Sequence, residues 1–400
     1  MIPVVHVPMN TASLVSVQVR AEERQRVSDS GSIFESEVNP MLRYDMIGRH
    51  FEDHIAALYN PHFISPFVLK RPPGTDLKEG SSSATVLHSF AFAAELSRRR
   101  YKLSLTEYGS LGDTTTTALL FQKPWAGEGL PVRPAAVVTV GPAFTLLFSQ
   151  TQLAVPLLLT RRLTLTPSVS YNAFGGANTE SKDVLPMVHG PGGSVILEYK
   201  ASRHDALRVL TGGGYQNILF ATRTGDPLFR QESEVRLQHQ HSRKFASEWA
   251  TGYIVAGDVR AGAMLFPTSE VAGVYTLSTN ARGASTRFAA VGRVTPWLNL
   301  FSLEFEQRAD ITLAANMVVD KTTFRVQGTA GRAVFNIDSV SKYSLYVAEA
   351  GVSYALHKFW NVEGGARGAM QSSENALRAD DVRQAIFYLA LQYAPQNWRL

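Results

Sequence analysis

No cysteine occurs among the 400 residues, which excludes a disulfide framework, thiolate metal sites and cysteine catalysis. Long apolar runs are missing too. No stretch approaches the roughly 18 consecutive apolar residues that a membrane-spanning helix needs. Leu153–Leu159, among the greasiest segments, contains Pro156 and stops at Arg161-Arg162. Charge is sparse, at 18% of residues against roughly 25% in ordinary soluble domains. Hydrophobic residues reach 45%, yet the mean hydropathy is only −0.06, too polar for a bundle of membrane helices. The opening residues Met1–Pro8 have neither the basic start nor the apolar core of a secretory signal. A chain exported through a membrane requires such a signal, so here it is expected to have been removed or to lie upstream.

What the chain does contain is alternation. From Leu303 to Leu313, one face of an extended strand carries Leu303, Phe305, Gln307, Ala309, Ile311 and Leu313. The other carries Glu304, Glu306, Arg308, Asp310 and Thr312, because side chains in a strand point alternately to opposite sides. Most of the chain repeats this in segments of about ten residues broken by turns, the pattern of a transmembrane β-barrel. A barrel hides its membrane signal because only every second residue meets lipid.

Eighteen strands are expected, near residues 12–22, 32–45, 50–62, 83–97, 100–110, 140–160, 163–174, 192–202, 206–218, 230–241, 245–257, 270–280, 285–295, 303–316, 321–335, 343–356, 359–371 and 384–393. The fold class is therefore all-β: a closed antiparallel transmembrane barrel of about 18 strands, within a range of 14–18. An even count puts both termini on one side. Residues 12–394 form the single barrel domain, preceded by a periplasmic extension over 1–11 and followed by a tail over 395–400. The links alternate in length. Short ones fall at Arg98–Arg100, Arg161–Arg162, Ser202–Asp205, Ser242–Lys244 and His357–Lys358; long ones cover 111–139, 175–191, 219–229, 258–269 and 372–383. Short periplasmic turns and long extracellular loops distinguish such barrels, whereas a soluble sandwich has no reason to collect its short turns at one end. Pro40, Pro156 and Pro167 lie inside expected strands, where a missing N–H breaks the ladder, so each should mark a bulge or a strand end.

The net charge of +5 and the pI near 9.3 would suit a nucleic-acid partner. The cations, however, are scattered over separate turns and form no continuous stripe, so no nucleic acid is expected. Solvated hairpin tips are the plain reading of these basic turns; contact with anionic headgroups of the inner leaflet is the sharper one.

The polar faces supply the candidate lumen lining: Glu234, Arg236 and Gln238; Glu304, Glu306, Arg308 and Asp310; Arg325 and Gln327; Glu363 and Arg367. With about eighteen strands the interior is too wide for side chains to fill, and a lining of this kind suits hydrated solutes rather than lipids. Aromatics near strand ends supply a candidate interfacial girdle: Tyr171, Tyr199, Trp249, Trp297, Tyr354, Trp360 and Tyr393. Tyr and Trp favour the membrane interface because an apolar ring carries a polar handle; ordinary packed sheet aromatics are the competing reading.

No catalytic, metal or cofactor motif stands out. His239 and His241 share a strand face and could chelate a metal, but they adjoin a turn on the register of Val235 and Leu237, which favours an interfacial hairpin end. His88, His189, His204 and His357 lack a neighbouring Ser-and-acid context. Gly212-Gly213-Gly214 has no GxGxxG spacing and no following helix, and reads as a thin, flexible patch of strand. No enzyme activity and no cofactor are expected.

The basic-turn-then-strand hairpins Leu157–Leu165 and Ala355–Gly365, with the early stretch Glu37-Val38-Asn39-Pro40-Met41-Leu42-Arg43-Tyr44-Asp45, resemble the large bacterial outer-membrane β-barrel proteins over nearly the whole chain. The resemblance implies residence in the bacterial outer membrane, with outer-membrane lipid and the barrel-assembly machinery as partners. One departure is the C-terminus: such proteins commonly end their last strand at Phe, whereas here Tyr393 is followed by Ala-Pro-Gln-Asn-Trp-Arg-Leu, so Tyr393 or Trp398 would have to substitute. Size also resembles barrels that pass secreted polysaccharide, implying periplasmic export components as further partners. The leading reading is thus an aqueous channel for a secreted polysaccharide or another hydrated solute. A surface adhesion or scaffold barrel with a closed lumen is the second reading, and a soluble all-β binding protein of sandwich or propeller type the third.

Overall fold

In a computed structural model of the chain, the described residues are 12–28, 31–48, 53–70, 84–98, 100–114, 144–258, 262–278, 284–299, 304–335, 342–373, 382–395 and 398–399. They form β1 (Ala12–Ser28), β2 (Gly31–Ile47), β3 (His54–Lys70), β4 (Thr85–Ser97), β5 (Lys102–Thr114), β6 (Phe144–Ala154), β7 (Leu157–Leu158), β8 (Leu163–Gly176), β9 (Met187–Lys200) and β10 (Asp205–Leu219). There follow β11 (Leu228–Gln240), β12 (Phe245–Asp258), β13 (Gly262–Ser278), β14 (Ser285–Asn299), β15 (Glu304–Val319), β16 (Thr322–Phe335), β17 (Lys342–His357), β18 (Trp360–Ser373), β19 (Val382–Tyr393) and β20 (Trp398–Arg399). One short helix, α1 (Thr179–Val184), bridges β8 and β9. The expected extension over 1–11 lies outside the described residues.

Apart from the two-residue β7 and β20, each strand pairs antiparallel with the next (β6 with β8), and β1 pairs with β19 from Val19↔Tyr393 to Ser28↔Gln384. That last ladder closes the sheet. β7 continues the line of β6 along β8, and β20 extends the line of β19 along the foot of β1, so the wall has the eighteen strands that the alternation predicts. A single sheet closed on itself has no second layer to pack against, which rules out a sandwich. Most wall strands run 13–17 residues, more than the 9–11 or so needed to cross a bilayer.

Proline marks the interruptions. Pro40 of β2 faces Pro61 of β3, and the ladder between the two strands lapses from Val38↔Phe63 to Leu42↔Tyr59. Pro156 separates β6 from β7, and Pro167 lies beside this gap, its carbonyl accepting from the Val155 N–H at 3.0 Å.

Several boundaries differ from the sequence expectation: β9 starts at Met187 rather than near 192, β6 spans only Phe144–Ala154 of the expected 140–160, and three further differences bear on the rims. β1 runs to Ser28 rather than stopping near 22, β3 runs to Lys70, and most of the expected loop 258–269 is the start of β13. β12 and β13 stay paired up to Asp258↔Gly262, and β1 and β2 up to Ser28↔Gly31. The α1 turn was not expected. Asn178 caps it, its side-chain oxygen accepting from the Ser181 N–H at 2.8 Å, and Leu185 behind it is fully buried. At the other end, β15 turns into β16 through only Asp320 and Lys321, with Asp320 at φ 51°, in the left-handed region that two-residue hairpins demand.

Candidate functional site: the charged face of the wall

The two faces of the sheet differ in composition and in exposure. One carries Val235, Leu237, Ile311, Leu313, Val326, Phe387 and Leu389, all exposed, Leu313 and Leu389 by 60% and 61%. The opposite face carries charge and is crowded: Arg26, Glu35, Asp310 and Glu363 are 5%, 3%, 4% and 7% exposed. This inverts the rule for soluble proteins, in which ionised groups stay out and large aliphatics go in. Closure explains the crowding, since side chains converge on the concave side of a curved sheet and splay apart on the convex side.

Among the ion pairs of the charged face, four groups stand out, beside smaller pairs such as Arg230–Glu232 and Arg43–Asp45. On β1–β3, Arg26 Nε donates to Glu35 Oε2 at 2.6 Å, Arg24 pairs with Glu37, and His62 Nδ1 lies 2.7 Å from Glu37 Oε1. Around the seam, Arg20 reaches over β19 to Glu363 of β18 at 2.7 Å, and Arg325 of β16 pairs with the same Glu363. Arg325 also donates to the Tyr388 hydroxyl at 2.5 Å and lies 3.5 Å from Glu349. On β14–β15, Arg293 and Arg308 hold Asp310 at 3.0 and 3.3 Å. On β11–β13, Arg236 sits among Glu234 at 2.9 Å, Glu270 at 3.3 Å and Glu248. These pairs form because barrel alternation commits every second residue to a low-exposure face, where an unpaired charge is costly.

The structure brings most of the sequence-selected lining residues into these groups. Glu234, Arg236, Arg308, Asp310, Arg325 and Glu363 are members, and Gln238 donates to Glu248 at 2.6 Å. Gln327 and Arg367 both lie in register with Glu349. Glu304 and Glu306 belong to β15 by backbone, but their side chains lie outside the described residues. Sequence reasoning missed Arg20, Glu22, Arg24 and Arg26, together with Glu35 and Glu37. Part of their signal was available, since the first four share even parity along β1 and the last two share odd parity along β2, but Glu23, Gln25, Ser32 and Ser36 on the other face break the apolar row.

Of the aromatic set, Tyr171, Tyr199, Trp249, Tyr354 and Trp360 are exposed on the apolar face. Trp360 and Tyr393 meet with ring centroids 4.7 Å apart, beside the β17–β18 turn. Tyr171 lies farther from the short turns and hydrogen-bonds His189 Nδ1 at 2.7 Å. A second pair of the same kind, Tyr59–His88 at 2.7 Å, was not anticipated. The Trp297 side chain lies outside the described residues. His239 and His241 cluster edge to face at 4.2 Å, with His239 on Asp205 at 2.5 Å and His241 stacked on Phe245.

No protein-family model matches the chain, and no curated protein does so. Solved structures do. Pseudomonas aeruginosa OccK1 (OpdK) superposes with a TM-score of 0.51 at 13% identity, covering 96% of this chain and 99% of that one. Pseudomonas aeruginosa OccK7 (OpdD) gives 0.50 at 11% identity, covering 97% and 99%. At such identities the likeness concerns the fold alone, and that fold is a large, closed, 18-strand antiparallel β-barrel.

Proposed function

We propose that the charged face lines an aqueous bore and that the protein is an outer-membrane channel for hydrated solutes. The observation that carries this reading is the inversion of faces: ion-paired Arg, Glu and Asp converge on one side while Leu389, Leu313 and Val326 stand exposed on the other. Hydrocarbon accepts the second face and rejects the first. The aromatic residues on the apolar face serve as interfacial anchors. Because the described carboxylates of the four groups each have a cation within reach, the lining polarises water without presenting a long run of one sign, and solute charge is only weakly selected.

The bore is not uniform. Opposite parity from Val169, Val195 and Tyr215 brings Ser168, Ser170, Gly192, Ser194, Gly212 and Gly214 together on β8–β10, with Ser168 and Ser194 hydrogen-bonded at 2.8 Å. A hydroxyl- and glycine-lined strip of this kind suits an uncharged, hydroxyl-rich polymer, and a secreted polysaccharide is the cargo we put forward. The reading is tested by reconstituting the protein in planar bilayers and in liposomes. Stepwise ionic conductance and osmotic swelling in oligosaccharide solutions are expected; folded protein that gives neither is not a channel.

A further inference from the structure

Cations within the wall are mostly paired with carboxylates, but those on the rim of short turns are treated differently. Arg161 in the β7–β8 turn, Arg203 in the β9–β10 turn, and Arg243 and Lys244 in the β11–β12 turn are exposed, and among the described residues no carboxylate approaches their side chains. The acids nearest in sequence are engaged elsewhere: Glu198 lies 3.7 Å from Lys200, and Asp205 is held by Ser202 and His239, each at 2.5 Å. The three turns are neighbours. The Lys200 N–H donates to the Arg162 carbonyl at 2.8 Å, Gln240 N–H to the His204 carbonyl at 2.8 Å, and Thr276 N–H to the Lys244 carbonyl at 2.7 Å. With strands about 4.8 Å apart, consecutive turns are roughly 10 Å apart, which puts the cations in one arc.

Directly beside this arc, the apolar face presents Leu159, Tyr199, Phe245 and Trp249, all exposed. The far side of the rim also has an apolar shelf, with Phe324, Tyr354 and Trp360 exposed, but its cations differ: Lys321 shares its turn with Asp320, and Lys358 lies over the Phe359 ring at 4.5 Å. A cationic arc next to an apolar shelf is complementary to a molecule with a phosphate at one end and acyl chains at the other. Arginine and lysine near an anionic leaflet attract its headgroups, and Trp and Tyr seat at headgroup level.

We propose that the rim from the β7–β8 turn to the β11–β12 turn binds the phosphate headgroup of an anionic phospholipid, whose acyl chains lie along Tyr199, Phe245 and Trp249. This rests on the reading of the barrel as membrane-embedded. It assigns Arg161, Arg203, Arg243 and Lys244 the headgroup contacts and orients the basic sector toward the inner leaflet.

The test uses the full-length protein in neutral detergent and native mass spectrometry. Dihexanoyl phosphatidylglycerol, dihexanoyl phosphatidylcholine and inorganic phosphate are titrated separately. The wild type should retain phosphatidylglycerol at least about tenfold more tightly than phosphatidylcholine, and inorganic phosphate should neither bind nor compete at matched concentration. R161S/R203S/R243S/K244S should abolish the preference, and K321S/K358S, on the far rim, should leave it intact. Should the quadruple variant lose the gel shift of a folded barrel on heating, the single variants R203S and K244S carry the test, each with a several-fold loss expected. Equal retention of the two lipids, or variants that match the wild type, overturns the assignment; tight inorganic phosphate binding makes this a free-anion site and overturns the lipid. A barrel that conducts but shows no lipid preference refutes the rim site alone, whereas a protein that neither shifts on heating nor conducts refutes the membrane reading beneath it.

Discussion

Arg20 and Glu363 are 343 residues apart in sequence and 2.7 Å apart in space. The guanidinium of the first strand stretches over β19 to reach a carboxylate on β18, and so straddles the seam where the two ends of the sheet meet. Glu363 also receives Arg325, and the Tyr388 hydroxyl lies close by. The junction between the N-terminal and C-terminal strands is thus backed by a side-chain network as well as by the β1–β19 ladder.

Cutting that network should loosen the closed barrel. Arg20→Ala leaves Glu363 with one cation fewer at a nearly buried position, a loss of about 1–3 kcal/mol. Urea unfolding in detergent should show a lower midpoint. The swapped pair Arg20→Glu with Glu363→Arg should recover less than the full loss, because Arg325 then faces a cation. An unchanged midpoint for Arg20→Ala would mean that the ladder alone closes the sheet.

Arg236 is surrounded by Glu234, Glu248 and Glu270. Arg236→Ala should leave three carboxylates uncompensated on the charged face and shift the channel toward cations. The reversal potential across a KCl gradient checks this, with a shift of cation preference expected. A reversal potential equal to that of the wild type would show that this cluster does not face the conducting path.

Sequence alternation made the class of fold, the strand number and the two faces legible, because a period of two is a local property that no distant contact overrides. It failed at β1 beyond Glu22, where Glu-Glu-Arg-Gln-Arg reads as a solvated turn. Those charges are tolerated in a strand only because Glu35 and Glu37 face them from β2. It failed at the start of β13, where Gly262 and Pro267 look like loop residues and Phe266 puts an apolar side chain on the opposite face, although Leu265 is in phase with the exposed Val271 and Tyr275. Partners such as Arg20 and Glu363 were beyond reach, since which ends of the chain meet is decided by closure and not by any local pattern.

Gly175 tests how tightly the loop end is built. Its φ is +140°, and a Cβ there would overlap the Pro186 carbonyl, so Gly175→Ala should cost on the order of 2 kcal/mol or more. Gly273→Ala is the control, because its Cβ would meet only a Phe245 ring carbon at an ordinary 3.7 Å. Thermal unfolding followed by the gel shift should lower the midpoint for the first and spare the second. Equal effects would contradict the packing of β8 against the chain that follows α1.

A charge on the apolar face should be penalised by lipid. Leu389→Arg places a guanidinium where Leu is 61% exposed, at a cost of about 2–4 kcal/mol if the site lies near the bilayer midplane. In a water-facing sheet the same change would be nearly neutral. Folding titrations into lipid vesicles distinguish the two.

The central claim is that alternate residues of one strand meet different solvents. The chain is free of cysteine, so single cysteines placed in turn at positions 233–238 of β11 can each carry a spin label in liposomes. Labels at 233, 235 and 237 should be relaxed by oxygen dissolved in lipid, and labels at 234, 236 and 238 by a water-soluble nickel chelate. A profile without that period of two, or one with the phases reversed, would contradict the account.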